Sequence, residues 1–135
     1  MEYTLEEFVL ENLEARNRGD WASITETRSK GEGVGGRFAA RLDKFVYRLS
    51  EPERNKIFDG IVKTIAIPTL KMSNHFFARM VERYAALDLG ILCARIRQCV
   101  ESALKHKKER VKKDDMVVVI APEERTLITL YTRLI

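Results

Sequence analysis

Two hydrophobic periods divide this chain, and the point where one gives way to the other limits its fold more than any other feature. As far as Ala103, except over residues 20–37, apolar residues recur every three or four positions, the spacing that lines one face of an α-helix. Beyond it the pattern changes to runs rich in β-branched residues, MVVVI (Met116 to Ile120) and TLITLYT (Thr126 to Thr132). Ala-Pro-Glu-Glu-Arg separates them, the length of a short hairpin connection. Helices followed by strands define an α+β class: N-terminal helices packed on a small C-terminal antiparallel β-sheet. A chain of 135 residues is the size of a single domain with one core.

The helical part carries its own start and stop signals. Thr4 and Glu7 form a capping box for a helix from Tyr3 to about Arg18, with Leu5, Phe8, Val9 and Leu13 on one face. Gly19 stops it, so residues 1–20 make an N-terminal helix. The period then vanishes, and residues 20–37, including SKGEGVGG, are expected to form a flexible loop. Phe38, Leu42, Phe45, Val46 and Leu49 make a second stripe. Ser50, Pro52 and Glu53 open another helix through Ile57, Phe58, Ile61 and Ile65, ended by Pro68, although IVKTIAI also reads as a strand. Ser73 caps a fourth helix to about Tyr84, and Asp88 opens a fifth carrying Leu92, Ile96, Cys99, Val100 and Ala103. The basic run at Lys107 to Lys112 is expected to be a third, outer strand.

Several classes of function are excluded on composition and spacing. No stretch approaches the roughly 20 apolar residues of a membrane span, and MEYTLEEF is acidic where a signal peptide is basic. The expectation is a cytoplasmic protein with no membrane partner. Cys93 and Cys99 fit neither a disulfide framework nor a metal-ligand spacing, so both read as reduced apolar residues, with no metal and no cofactor. Gly31, Gly33 and Gly36 match the letters of G-x-G-x-x-G, but the polar segment Ser23 to Lys30 precedes them where a dinucleotide site needs a buried strand. Arg28, Lys30, Arg37 and Arg41 would let such a loop close over a phosphate chain.

Charge is unevenly placed. Glu2, Glu6, Glu7, Glu11, Glu14 and Asp20 outweigh Arg16 and Arg18 at the N-terminus, whereas Lys105, Lys107, Lys108, Arg110, Lys112 and Lys113 face only Glu109. Such asymmetry points to an anionic partner for the basic end and makes those six cations candidate nucleic-acid contacts. Lysines that keep an edge strand from aggregating would give the same run.

The most informative constellation is NHFFARMVER, where His75, Arg79 and Arg83 recur every fourth residue. On a helix each such step advances about 40° and about 6 Å, so the three form an oblique row beside Phe76, Phe77, Met80, Tyr84 and Leu87. Arg83 lies against the apolar boundary and should be held by it, with His75 furthest toward solvent. An imidazole beside two guanidinium groups suits cleavage of an RNA phosphodiester. The 2′-hydroxyl needs a base, the leaving oxygen an acid, and the phosphorane cationic donors. The plainer alternative pairs Arg79 with Glu82 on a solvated face.

An HxxxRMxxR helix followed by a hairpin with Ile128, Thr129 and Tyr131 resembles the barnase, EndoU, colicin and RelE superfamily of small ribonuclease toxins and their phage-borne relatives. The resemblance covers residues 73–133. It implies that His75 is the catalytic or substrate-positioning histidine, that Arg79 and Arg83 face the phosphate, and that Thr129 and Tyr131 line the cleft. A long helix stands where the family has a brief linker, and the two evident strands are fewer than the family builds. Strict alternation would place Thr126, Ile128, Leu130 and Thr132 on one face of the last strand and Leu127, Thr129, Tyr131 and Arg133 on the other.

Two functions follow as expectations. One is a metal-independent endoribonuclease, or an RNA-binding relative, acting through His75, Arg79, Arg83, Thr129 and Tyr131. The other is a non-enzymatic phage or mobile-element protein that binds and inhibits a host protein or nucleic acid, with the acidic N-terminal helix as a protein-binding surface.

Overall fold

The computed structural model describes residues 3–12, 49–84 and 86–133. The loop expected at 20–37 with its glycines, the stripe from Phe38 to Val46 and the first helix beyond Asn12 lie outside them.

Each described helix begins where a side chain can satisfy its first amides. In α1 (Leu5–Asn12) the Glu7 N–H donates to Thr4 Oγ1 at 3.1 Å, and the Thr4 N–H donates to Glu7 at 3.3 Å. The same reciprocal box joins Ser50 and Glu53 at the start of α2 (Glu51–Ile65). Buried Ile57, Ile61 and Ile65 carry α2 along one face, so IVKTIAI is helical to Ile65 and turns only at Ala66, in the left-handed region at φ 63°. Strand β1 (Lys71–Met72) leads into α3 (Asn74–Tyr84), whose Phe76 amide donates to Ser73 Oγ at 3.0 Å. Asp88 caps α4 (Leu89–His106) by accepting the Ile91 N–H, and also accepts the Tyr3 N–H, which ties α1 to the head of α4.

Strands β2 (Arg110–Lys113), β3 (Met116–Ala121) and β4 (Thr126–Thr132) follow α4, and the sheet order is β1-β4-β3-β2. The basic run supplies the outer strand that the sequence predicts, but only from Arg110 to Lys113, because Lys107 ends α4 instead. The sheet is mixed, not antiparallel, because β1 pairs parallel with β4. Two residues between a turn and a helix are too few to show an alternating pattern, which is why β1 leaves no trace in the sequence.

Strict alternation in β4 also fails. Val119 pairs with Thr129 but Ile120 with Leu127, so Ile128 is an additional residue, a β-bulge. Leu127 and Leu130 therefore both enter the core, while Ile128 is turned out and 42% exposed.

All four described helices contribute to one apolar cluster with a single face of the sheet. Leu5, Ile61, Phe77, Met80, Leu92 and Ile96 meet Met116, Val118, Ile120, Leu127 and Leu130 there. The result is two layers, helices on one side of the sheet, and among the described residues no helix lies against the other side. At Gly60 the ring of Phe8 comes so near that an added Cβ would stand 2.7 Å from Phe8 Cζ, which fixes how closely α1 lies on α2. Among the described residues no helix is long and apolar enough to cross a membrane.

Candidate nucleic-acid interface

Helix α3 is held against β4 at both ends. The Ser73 N–H donates to the Leu127 carbonyl at 3.0 Å and the Ser73 hydroxyl to the Ile128 carbonyl at 2.8 Å. At the far end the Tyr84 and Thr132 hydroxyls are 3.1 Å apart, and burial pushes the Tyr84 phenol above its usual pKa although Thr132 works the other way. Phe76, Phe77, Ala78, Met80, Val81 and Glu82 are buried, which leaves His75, Arg79 and Arg83 along the outward edge, as their spacing predicts.

That row is not uniform. His75 and Arg83 are exposed and about 12 Å apart along the axis. Arg79 is the covered member, and its guanidinium pairs with the Glu82 carboxylate, whose side chain is only 3% exposed. The anchored arginine is therefore Arg79 rather than Arg83. The pairing is the one that the plainer reading of the row names, but its carboxylate is buried instead of solvated. Two apolar residues, Ala78 and Val81, flank Glu82 on the helix and draw it into the interior.

Cross-strand partners share a face of a sheet, so the register fixes where the other candidates project. Val118 with Leu130 and Met116 with Thr132 face the helices. Val117 with Tyr131 and Val119 with Thr129 face away. Thr129 and Tyr131 consequently project from the face opposite to the one on which α3 packs. A groove with His75 and Arg83 on one wall and Thr129 and Tyr131 on the other, which the resemblance implies, is not what the register builds.

The register instead joins Thr129 and Tyr131 to part of the basic run. Arg110 pairs with Val119 and Lys112 with Val117, so both cations share the outward face. Two cross-strand rows result: Lys112, Val117, Tyr131 and, beside it, Arg110, Val119, Thr129. The Arg110 guanidinium carbon lies 6.0 Å from the centre of the Tyr131 ring. No outward-facing residue of β2, β3 or β4 is acidic. Lys105, Lys107 and Lys108 are exposed just before β2, where Lys107 ends α4 in the left-handed region at φ 53°. Lys113 pairs with Met116 and belongs to the helical side of the edge.

Other sites offer less. A cavity of about 560 Å³ between the end of α4 and the β3–β4 turn sets Lys107 and Arg125 among Glu109, Glu123 and Glu124, a mixture that suits no polyanion. Burial pushes the Cys93 thiol up to about 12 and the Cys99 thiol up to about 11, so neither is a thiolate nucleophile near neutral pH. Among the described residues no three His, Cys, Asp or Glu side chains are grouped to hold a metal ion.

Sequence reasoning finds the six cations and Tyr131 separately but does not join them. The join depends on the hairpin register, and the four-residue connection from Pro122 to Arg125 fixes that register only up to the bulge. The chain matches no protein-family model, no curated protein and no solved structure.

Proposed function

We propose that this protein binds RNA through the end of α4 and the outer strand β2, as a non-cleaving or weakly cleaving relative of the toxin-type ribonucleases and their phage-borne kin. The observation that carries the reading is the continuity of exposed positive charge from Lys105 through Lys107, Lys108, Arg110, Lys112 and Lys113, broken only by Glu109. Phosphates attract such a run by releasing counterions, without regard to base sequence. The reading places the protein in the cytoplasm, where Cys93 and Cys99, both free, stay reduced.

Binding is favoured over cleavage on chemical grounds. In-line attack by a 2′-hydroxyl needs a base and an acid on opposite sides of one phosphorus, with a cation on the equatorial oxygens. On α3 the His75 imidazole could fill only one of these roles, and Arg79 is already engaged with Glu82.

The test is anisotropy of a labelled oligoribonucleotide across a salt series. Affinity should fall linearly with salt on logarithmic axes, and each of Lys108→Gln, Arg110→Gln and Lys112→Gln should lower the slope by about 1. A protein that binds no RNA at low salt, or whose slope these variants leave unchanged, contradicts the proposal. In the same preparation, RNA cut by the parent and left intact by His75→Ala would restore the endoribonuclease reading.

A further inference from the structure

We propose that the cavity between the end of α4 and the β3–β4 turn binds a small zwitterion of the amino-acid or short-peptide class, one carrying more positive charge than negative. The inference does not depend on the RNA reading, with which it shares Lys107 alone as a binding residue.

The cavity holds about 560 Å³, room for a small organic molecule. One wall is the last turn of α4 with its link to β2, and the other is the end of β3 with the turn that follows. Lys107, Glu109, Glu123 and Glu124 all line it and are all exposed, so its mouth is open to solvent. Leu104, Ala121 and Pro122 supply the apolar part of the lining.

Charges of both signs share this space without meeting. Among the described residues none of Lys107, Glu109, Glu123, Glu124 and Arg125 is ion-paired, whereas Arg79 with Glu82 and Arg97 with Glu101 are. Water is left as their partner, and one molecule with charge at both ends can replace that water on both signs at once.

The two cations are held in place by the backbone. Lys107 stands at φ 53° and Arg125 at φ 52°, left-handed positions that glycine takes freely and a residue with a Cβ takes under strain. The chain thus bears strain at both points where it presents a cation to the cavity. Arg125 is fixed further: its Nη1 donates to the Pro68 carbonyl at 3.0 Å, and its own carbonyl accepts the Lys71 N–H at 2.8 Å. The donors left on its planar fork match a carboxylate.

Charge balance then selects the ligand. Three carboxylates outnumber two cations, and the C-terminal end of α4 adds negative potential. A simple anion would meet three like charges, and a simple cation would leave Arg125 unanswered. A metal ion lacks its ligand set, since among the described residues no three acids, histidines or cysteines are grouped for one. A zwitterion with an extra ammonium places its carboxylate on Arg125, its cationic groups among the glutamates and its aliphatic carbons on Leu104, Ala121 and Pro122.

The experiment follows amide shifts of the intact, ¹⁵N-labelled chain during titration with the dipeptide lysyl-leucine. Two controls each lack one sign: lysyl-leucinamide has no carboxylate and acetyl-leucine no ammonium. Shifts should gather at residues 104–109 and 121–125, and each control should bind about 10-fold more weakly or worse. Arg125→Met should weaken lysyl-leucine by about 10-fold or more and leave lysyl-leucinamide unchanged. Glu109→Gln should also weaken lysyl-leucine, and it spares the fold, because the bond of Glu109 to Ile120 is made by its backbone carbonyl. No shifts with lysyl-leucine at millimolar concentration, shifts centred elsewhere, or equal affinity for lysyl-leucine and lysyl-leucinamide would each overturn the proposal.

Discussion

Glu82 is the buried acid of α3, and Arg79 is its partner. Taking a carboxylate out of water costs several kcal/mol unless a cation compensates for it, so the pair acts as a unit. Arg79→Met should therefore destabilise the fold by about 3 kcal/mol, and adding Glu82→Met should recover most of the loss, because two apolar side chains replace the whole pair. Urea unfolding of the parent and both variants measures this. Equal loss in the single and double variants would show that the ion pair is not what Arg79 contributes. The spacing of His75, Arg79 and Arg83 was legible because it depends only on helical geometry. The burial of Glu82 was not, since it depends on which neighbours cover Ala78 and Val81 as well as the expected face.

Among the elements, α3 and β4 are joined through Ser73, which caps the helix and donates to the Ile128 carbonyl at the bulge. Ser73→Ala removes both bonds and should cost about 1 to 2 kcal/mol, with Asn74 to Tyr84 and the β4 amides showing faster hydrogen exchange together. Faster exchange in α3 alone would mean that β4 does not depend on the cap. The caps at Thr4, Ser50, Ser73 and Asp88 were all readable, because the oxygen that accepts the helix's amide lies within three residues of it. The parallel strand β1 and the bulge at Ile128 were hidden, because both are set by pairing between segments more than fifty residues apart or by a local slip in register. That one slip changes which residues share a face with Leu127, and with them the candidate site.

For the whole molecule, the thiols and phenols of raised pKa bear on how it meets alkali. Burial holds Cys93 up to about 12, Cys99 up to about 11 and Tyr3, beside Glu11, up to about 12, and it raises Tyr84. In the unfolded chain these groups lose their protons earlier, near about 8.5 for thiols and 10 for phenols. Stability from their retained protons is complete below about pH 8.5 and falls as pH rises through 9 to 12. Cys93→Ala with Cys99→Ala should flatten the fall between pH 9 and 10 while leaving the later, phenolic part, as thermal melting against pH will show. A decline of unaltered steepness in that window would assign it to other groups.

At the same scale lies the central claim, that the end of α4 and the outer strand take the nucleic acid while the cationic edge of α3 does not. Photocrosslinking of bound oligoribonucleotide, followed by mass-spectrometric mapping of the modified residues, separates the two regions directly. Adducts in the segment from Lys105 to Lys113, with none between His75 and Arg83, are the predicted result. Adducts confined to α3 would contradict the assignment.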